Sequence, residues 1–156
     1  AKRYNYIKDN IQFKDSTGKG MDWVESVVKY EKPDIVILDM GDKFADIKSE
    51  RSDITLKAAA IHARNIAKQY DCAVLWMSQL SAEAEGRADL NQAMMEGSKT
   101  GKAAEADLML LIGKTQQAEG EEEDPIRYLN IAKNKLNGFQ GKITCQLDGS
   151  RSLYTA

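Results

Sequence analysis

Two short, unbroken apolar runs lie on either side of a segment whose apolar residues recur at helical spacing. The first run, residues 34–39, ends in Asp39. The second run, residues 73–79, ends in a polar pair of which Gln79 is the last member. Unbroken runs of this kind are typical of parallel strands, and ligands bind where such strands end. The pattern therefore predicts a strand–helix–strand unit, with its helix at 54–70 and both polar ends at one edge.

The rest of the chain repeats the alternation of helix and strand. Further strands are predicted at residues 6–13, 108–112, 126–132 and 142–147, and further helices at residues 21–30 and 98–106. Residues 137–141 carry two glycines and predict the turn of a hairpin between the last two strands. The expected fold class is α/β, a mostly parallel sheet flanked by helices with a C-terminal antiparallel hairpin at its edge.

Charge, cysteine spacing and hydropathy indicate the general class of protein but not its function. The chain has 156 residues and a net charge of -2, so nucleic-acid binding would depend on local patches rather than on a global basic field. Cys72 and Cys145 lack metal-ligand spacing and suit a reducing compartment. No apolar stretch approaches the roughly 20 residues of a membrane span. We expect one soluble, cytoplasmic domain with no membrane partner.

Asp39 is the first candidate for chemistry. A carboxylate that follows a buried strand can hold the Mg²⁺ of a nucleotide, usually through water, as a Walker B aspartate does. Mg²⁺ prefers hard oxygen ligands and keeps several waters, so a single carboxylate is adequate. The alternative is an ordinary aspartate that caps a turn at the end of a strand.

Ser78 and Gln79 end the neighbouring strand. An amide at this place can hydrogen-bond a γ-phosphate or the attacking water. The alternative is a polar pair at the point where a strand leaves the core. The presence of Asp39 at the same edge favours the nucleotide interpretation for both strand ends.

Lys133 and Lys135 lie where a predicted strand ends and the hairpin turn begins. Cations at that position could reach a phosphate held by a neighbouring subunit, as an arginine finger does in trans. The alternative is a pair of solvated lysines at a strand end.

Residues 97–103 read Gly-Ser-Lys-Thr-Gly-Lys-Ala and resemble a phosphate-binding loop without matching it. The segment is one residue too short and places Ala103 where the loop needs a hydroxyl. It also follows a polar stretch rather than a buried strand. We expect Lys99 and Lys102 to contact DNA phosphates instead, the alternative being exposed lysines at a helix start.

Taken together, four segments resemble the C-terminal motor domain of DnaB-type replicative helicases, which are RecA-like ATPases. The segments follow the family's order. Residues 35–39 resemble its Walker B strand, and residues 75–80 resemble its Ser-Gln-Leu motif. Residues 97–111 resemble its Gly-Ser…Ala-Asp segment, and residues 131–141 resemble its Lys-Asn-Arg-x-Gly hairpin. The match runs from about Pro33 to Leu147. Each motif is weak alone, and their order is what makes the resemblance specific.

The resemblance implies ATP and Mg²⁺ as cofactors. By position, Asp39 would assist Mg²⁺, and Ser78 and Gln79 would contact the nucleotide, with Gln79 sensing the γ-phosphate. Lys133 and Lys135 would contact the nucleotide of the neighbouring subunit.

The resemblance also implies a ring, expected to be a hexamer, that moves along single-stranded DNA, with a primase or a loader as further partner. DNA would meet two loops, and six cations there are the candidate contacts: Lys43, Lys48, Arg51, Arg87, Lys99 and Lys102. Contacts of this kind bind without sequence preference and weaken with salt. The host would be a bacterial or phage-infected cell.

Two departures from the family pattern qualify these expectations. Lys135 stands where the family has its arginine, and lysine lacks the planar fork of the guanidinium. No Walker A loop occurs in the chain. We therefore expect residues 1–156 to form a single domain, a partial RecA-like motor core that does not hydrolyse ATP alone. The lysine and the compact motifs favour a phage-type helicase.

Two other functions remain open from the sequence. Another RecA-like ATPase, a recombinase or a loader, would share Asp39 but would usually lack the lysine hairpin. A non-hydrolysing interaction scaffold would keep the fold without the chemistry.

Overall fold

The computed structural model describes residues 10–45, 52–95, 101–117 and 124–155. Within them, three α-helices are present: α1 (Met21–Glu31), α2 (Ser52–Tyr70) and α3 (Gly101–Glu105). The same residues form six strands: β1 (Ile35–Leu38), β2 (Ala73–Trp76), β3 (Leu108–Gly113), β4 (Ile126–Asn134), β5 (Gly141–Asp148) and β6 (Leu153–Thr155). Single 3₁₀ turns occupy Gly41–Phe44, Ala82–Ala84 and Gln92–Met94. None of these helices is long and apolar enough to cross a membrane.

β1, α2 and β2 form the strand–helix–strand unit that the sequence predicts. The two strands pair in parallel, from Ile35 opposite Ala73 to Leu38 opposite Trp76. The core lies between this pair and the two long helices, where Val28 of α1 and Ile66 of α2 are each 1% exposed. Alternate strand residues face this core, since side chains alternate across a pleated strand.

Only one face of the parallel pair is covered within the part of the chain described. Ile35 and Ile37 of β1 are more than half exposed, and Leu75 of β2 is 49% exposed. The two long helices cover only the other face of this strand pair. Within the described residues, the face that carries these three side chains is therefore open.

The other strands form a four-stranded antiparallel sheet in the order β3-β4-β5-β6. The predicted hairpin is its centre, β4 paired with β5, and β3 and β6 extend it on both sides. β3 alternates between buried and exposed residues, because one face packs on the segment before α3 and the other is open. The α/β class with its C-terminal hairpin is confirmed, with more antiparallel pairing than expected.

Smaller differences concern the ends of elements. β2 ends at Trp76, so the polar pair that ends the predicted strand lies in the loop beyond it. The helix expected at 98–106 is observed over five residues, Gly101–Glu105, and residues 98–100 lie outside the described part. Residues 11–13 form no strand, while the start of that predicted strand is not described.

Candidate active site

The carboxyl ends of β1 and β2 lie side by side, as the sequence predicts. Backbone pairing continues past the strands: the Met77 amide donates to the Leu38 carbonyl at 3.1 Å, and the Gly41 amide donates to the Met77 carbonyl at 2.8 Å. Asp39 and Gln79 follow these residues and are both exposed. The fold therefore brings the two candidate residues to one edge with their polar groups open to solvent.

The loop after Asp39 turns sharply and packs on an indole ring. Met40 adopts a left-handed conformation, with φ of 56°. A Cβ added to Gly41 would lie 2.5 Å from the ring of Trp76, so only glycine lets the loop approach this closely. The close approach brings Asp42, the next residue, within reach of the end of β2.

Asp42 is the centre of a polar network that the sequence did not suggest. The Trp76 Nε1–H donates to Asp42 Oδ1 at 3.0 Å, and the Ser78 hydroxyl donates to Asp42 Oδ2 at 2.6 Å. The only hint in the sequence is a second acid three residues after Asp39. The partners could not have been found from spacing, because they lie 34 and 36 residues away along the chain.

Lys102 completes the network and corrects a prediction. Its ammonium donates to both carboxylate oxygens of Asp42, at 2.9 and 2.8 Å, and to the Ser78 hydroxyl at 2.7 Å. Its side chain is 4% exposed. The prediction of Lys102 as an exposed cation for DNA phosphates is wrong, because all three of its N–H donors are used inside the protein.

The network limits what Ser78 can do. A hydroxyl has one hydrogen to donate, and Ser78 donates it to Asp42 while it accepts from Lys102. To donate to a phosphate oxygen of a nucleotide, Ser78 would have to give up its hydrogen bond to Asp42. Gln79, which is exposed, is the better placed of the pair to meet a ligand.

The donor set at this edge fits Mg²⁺ held largely by water. The described residues contain no group of three or more His, Cys, Asp or Glu side chains able to enclose a metal ion. Asp39 offers one accessible carboxylate. Mg²⁺ is commonly bound by one or two carboxylates, its other ligands being water and phosphate oxygens. Asp39 is the residue that would hold it.

Lys133 and Lys135 lie at the end of β4, beside the C-terminal end of α3. Lys133 donates to the Ala103 carbonyl and, at 3.2 Å, to the Ala104 carbonyl. Lys135 donates to the same Ala104 carbonyl at 3.4 Å and lies 3.6 Å from the carboxylate of Asp107. Burial, and then the neighbouring ammonium of Lys135, hold the pKa of Lys133 below its ordinary value.

Arg64 of α2 joins these lysines, which sequence reasoning missed. Its guanidinium donates to the Glu105 carbonyl and, at 3.0 Å, to Asp107 Oδ1. Three cations thus surround Asp107 and the last carbonyls of α3. No motif marks Arg64, because it is one polar residue of an amphipathic helix.

Two of the predicted DNA contacts, Lys43 and Arg87, lie on the surface of the described structure. Lys43 is in the 3₁₀ turn after β1, and Arg87 is in the loop after β2. Lys48, Arg51 and Lys99 lie outside the described residues. An open groove of about 630 Å³ is found elsewhere, between residues 89–93 and the β4–β5 hairpin.

No protein-family model matches the chain, and no curated protein matches its sequence. Solved structures do match. One is an ATPase domain that is 18% identical, with a TM-score of 0.75 over 88% of this chain and 51% of that one. Another is a DnaB-like replicative helicase, solved to show its interactions with primase, which is 20% identical. Its TM-score is 0.79 over 94% of this chain and 38% of that one.

These matches show the fold. The chain has the α/β fold of the solved ATPase domain and of the DnaB-like helicase, as the sequence motifs predict. It spans about half of the first solved chain and less than half of the second.

Proposed function

We propose that the chain is part of an ATP-dependent replicative DNA helicase that moves along single-stranded DNA as a ring. The observation that carries the proposal is the placement of Asp39 and Gln79, both exposed, just past the paired ends of β1 and β2. These strands belong to a fold shared with an ATPase domain and a DnaB-like replicative helicase, at TM-scores of 0.75 and 0.79.

In this proposal Asp39 holds Mg²⁺, and bound ATP supplies the γ-phosphate that is transferred to water. Gln79 donates its amide hydrogens to a phosphate oxygen or orients the attacking water. The parallel register of β1 and β2 brings the two strand ends to one edge, and Asp39 and Gln79 follow those ends in the sequence. Segments outside this chain would supply the rest of the phosphate-binding site.

Lys133 and Lys135 serve the neighbouring copy. Three cations, these two lysines and Arg64, lie among two carboxylates, Asp107 and Glu105. The excess positive charge favours a further anion there. A γ-phosphate of the next subunit is such an anion, and lysine would act on it as a point charge rather than as a bidentate fork. This function requires a ring, for which we propose a hexamer.

Lys43 and Arg87, with Lys48, Arg51 and Lys99, provide the proposed contacts to DNA. Phosphate contacts of this kind bind any sequence, and each one lost lowers the dependence of affinity on salt. A primase partner is proposed by analogy with the DnaB-like helicase, which was solved to show its interactions with primase.

Replacing Asp39 by Asn in the full-length protein tests the function. We expect ATP hydrolysis to fall by at least about a hundredfold, with an unchanged melting temperature, because the exposed carboxylate acts on Mg²⁺ and not on the core. Asp34→Asn is the matched control, since Asp34 is exposed at the opposite end of the same strand. Wild-type turnover in Asp39→Asn would overturn the proposal and favour a scaffold.

A further inference from the structure

α3 is held by cations at both of its ends. It is only five residues long, from Gly101 to Glu105. Near its start, the ammonium of Lys102 is buried against Asp42. At its end, three successive carbonyls accept hydrogen bonds from cations on other elements: Ala103, Ala104 and Glu105. A short helix thus contacts two regions with separate proposed roles.

The first contact ties α3 rigidly to the ends of β1 and β2. Lys102 uses its three N–H groups on Asp42 and Ser78, and Trp76 and Ser78 occupy the remaining positions on the Asp42 oxygens. A buried charge that loses its partner is strongly penalised. When the ends of β1 and β2 shift, α3 must therefore move with them, because otherwise the buried ammonium of Lys102 would lose its partners.

The second contact ties the same helix to the lysines of β4. Lys133 and Lys135 both donate to the Ala104 carbonyl, and Arg64 donates to the Glu105 carbonyl. A helix of five residues is about 7.5 Å long at 1.5 Å per residue, too short to absorb a displacement by bending. A movement at the first turn of α3 therefore also displaces these carbonyls and the lysines hydrogen-bonded to them.

We propose that α3 couples the nucleotide edge of one subunit to the lysine pair that acts on the next, with Lys102 as the positioning residue. Lys102 touches neither nucleotide nor Mg²⁺ in this scheme. It holds Ser78, the residue before Gln79, and transfers the position of that strand end to Lys133 and Lys135. The inference rests on the proposed function, because both ends matter only if a nucleotide is bound at each.

A double-mutant cycle in the full-length protein tests the coupling. The variants are Lys102→Met, Lys135→Ala and the two together, and kcat and KM for ATP are measured for each. We expect each single change to lower kcat by roughly tenfold or more, since a displacement of about 1 Å at a reacting group has effects of this size. KM should change less than kcat.

The combined variant decides the question. Residues far apart act independently unless a physical element joins them. If α3 joins them, Lys102→Met costs little further activity in the Lys135→Ala background. If the two losses of kcat multiply instead, the double variant is about a hundredfold slower when each single variant is tenfold slower. That result would show that the two residues act independently and would overturn the coupling. An unaltered kcat in Lys102→Met would overturn it as well.

Controls separate coupling from loss of the fold. Lys68→Met removes an exposed lysine of α2 and should leave kcat and the cycle unchanged. If Lys102→Met does not fold, Ser78→Ala takes its place in the cycle, because it removes one hydroxyl of the network and leaves the ion pair. Asp39→Asn, run in parallel, tests the parent proposal. If Asp39→Asn abolishes hydrolysis but the losses in the cycle multiply, the coupling is overturned and the proposed function stands.

Discussion

Two lysine–aspartate pairs in this molecule have similar geometry and opposite surroundings. Lys102 lies 2.8 Å from Asp42, with side-chain exposures of 4% and 23%. Lys142 lies 2.5 Å from Asp89, with exposures of 36% and 82%. The exposed pair is the shorter, yet water and salt screen it, so pairs of its kind contribute little.

The two pairs also differ in the contacts that surround them. The buried pair is enclosed by a hydroxyl and an indole N–H, both hydrogen-bonded to Asp42. Lys142 instead lies 5.3 Å from the centre of the Tyr128 ring, an additional contact that does not need Asp89. Distance alone would rank the exposed pair first, whereas burial and the number of hydrogen-bond partners rank the buried pair first.

The largest expected effect is the removal of the buried cation. Lys102→Met should lower the free energy of unfolding by about 3–5 kcal/mol, because it leaves Asp42 partly buried without its counter-charge. Urea denaturation of the full-length protein measures this. The matched change Lys142→Met should cost no more than about 1 kcal/mol. Equal costs would show that burial does not distinguish the two pairs.

The next effect concerns the packing that holds the buried pair in place. Gly41→Ala should cost about 1–3 kcal/mol, because its Cβ would lie 2.5 Å from the ring of Trp76 and the ring must move. The change should also separate Trp76 from Asp42 and shift the tryptophan fluorescence. Gly149→Ala is the control, since nothing lies within 4 Å of its Cβ. Unchanged stability and fluorescence would mean that the network tolerates a displaced indole.

A third, smaller effect comes from a pair of intermediate exposure between α1 and α2. Hydrogen bonds from His62 and then Tyr70 hold the pKa of Glu25 below its ordinary value of 4.5. A carboxyl with a lowered folded-state pKa stabilises the fold above its unfolded pKa. That contribution is lost as the pH falls from about 4.5 through the folded value.

Glu25→Gln should therefore flatten the dependence of melting temperature on pH in that acidic range. Thermal melts of wild type and variant between neutral pH and the onset of acid unfolding measure the difference. Parallel curves throughout the acidic range would contradict a stabilising role for this carboxylate. Glu31→Gln is not a suitable control, because the pKa of Glu31 is lowered in the same way by Lys14.

The smallest effect is expected at the exposed pair itself. Asp89→Asn should change the free energy of unfolding by less than about 1 kcal/mol, and the difference should vanish in high salt, where exposed charges are screened. Denaturation at low and high ionic strength measures it. A large cost that persists in salt would mean that this pair has a structural role beyond its charges.

Local periodicity was sufficient for the frame of the fold. Apolar and strand-forming runs predicted β1 to β5, and helical spacing predicted α1 and α2, because these patterns depend on residues close in sequence. The meeting of Asp39 and Gln79 at one edge follows from parallel pairing alone. Their roles in catalysis stay predictions, as do those of Lys133 and Lys135.

Tertiary structure alone decided the burial of Lys102. A lysine at a helix start is usually solvated, and the sequence holds no mark of a partner 60 residues away. Whether the ammonium is exposed or buried depends on where α3 packs against the ends of β1 and β2. Arg64 joined the two lysines for the same reason, through α2. The sequence by itself determined which strands and helices form and which polar residues end them. Packing decided which of those residues meet, because a contact between distant segments leaves no periodic trace in either.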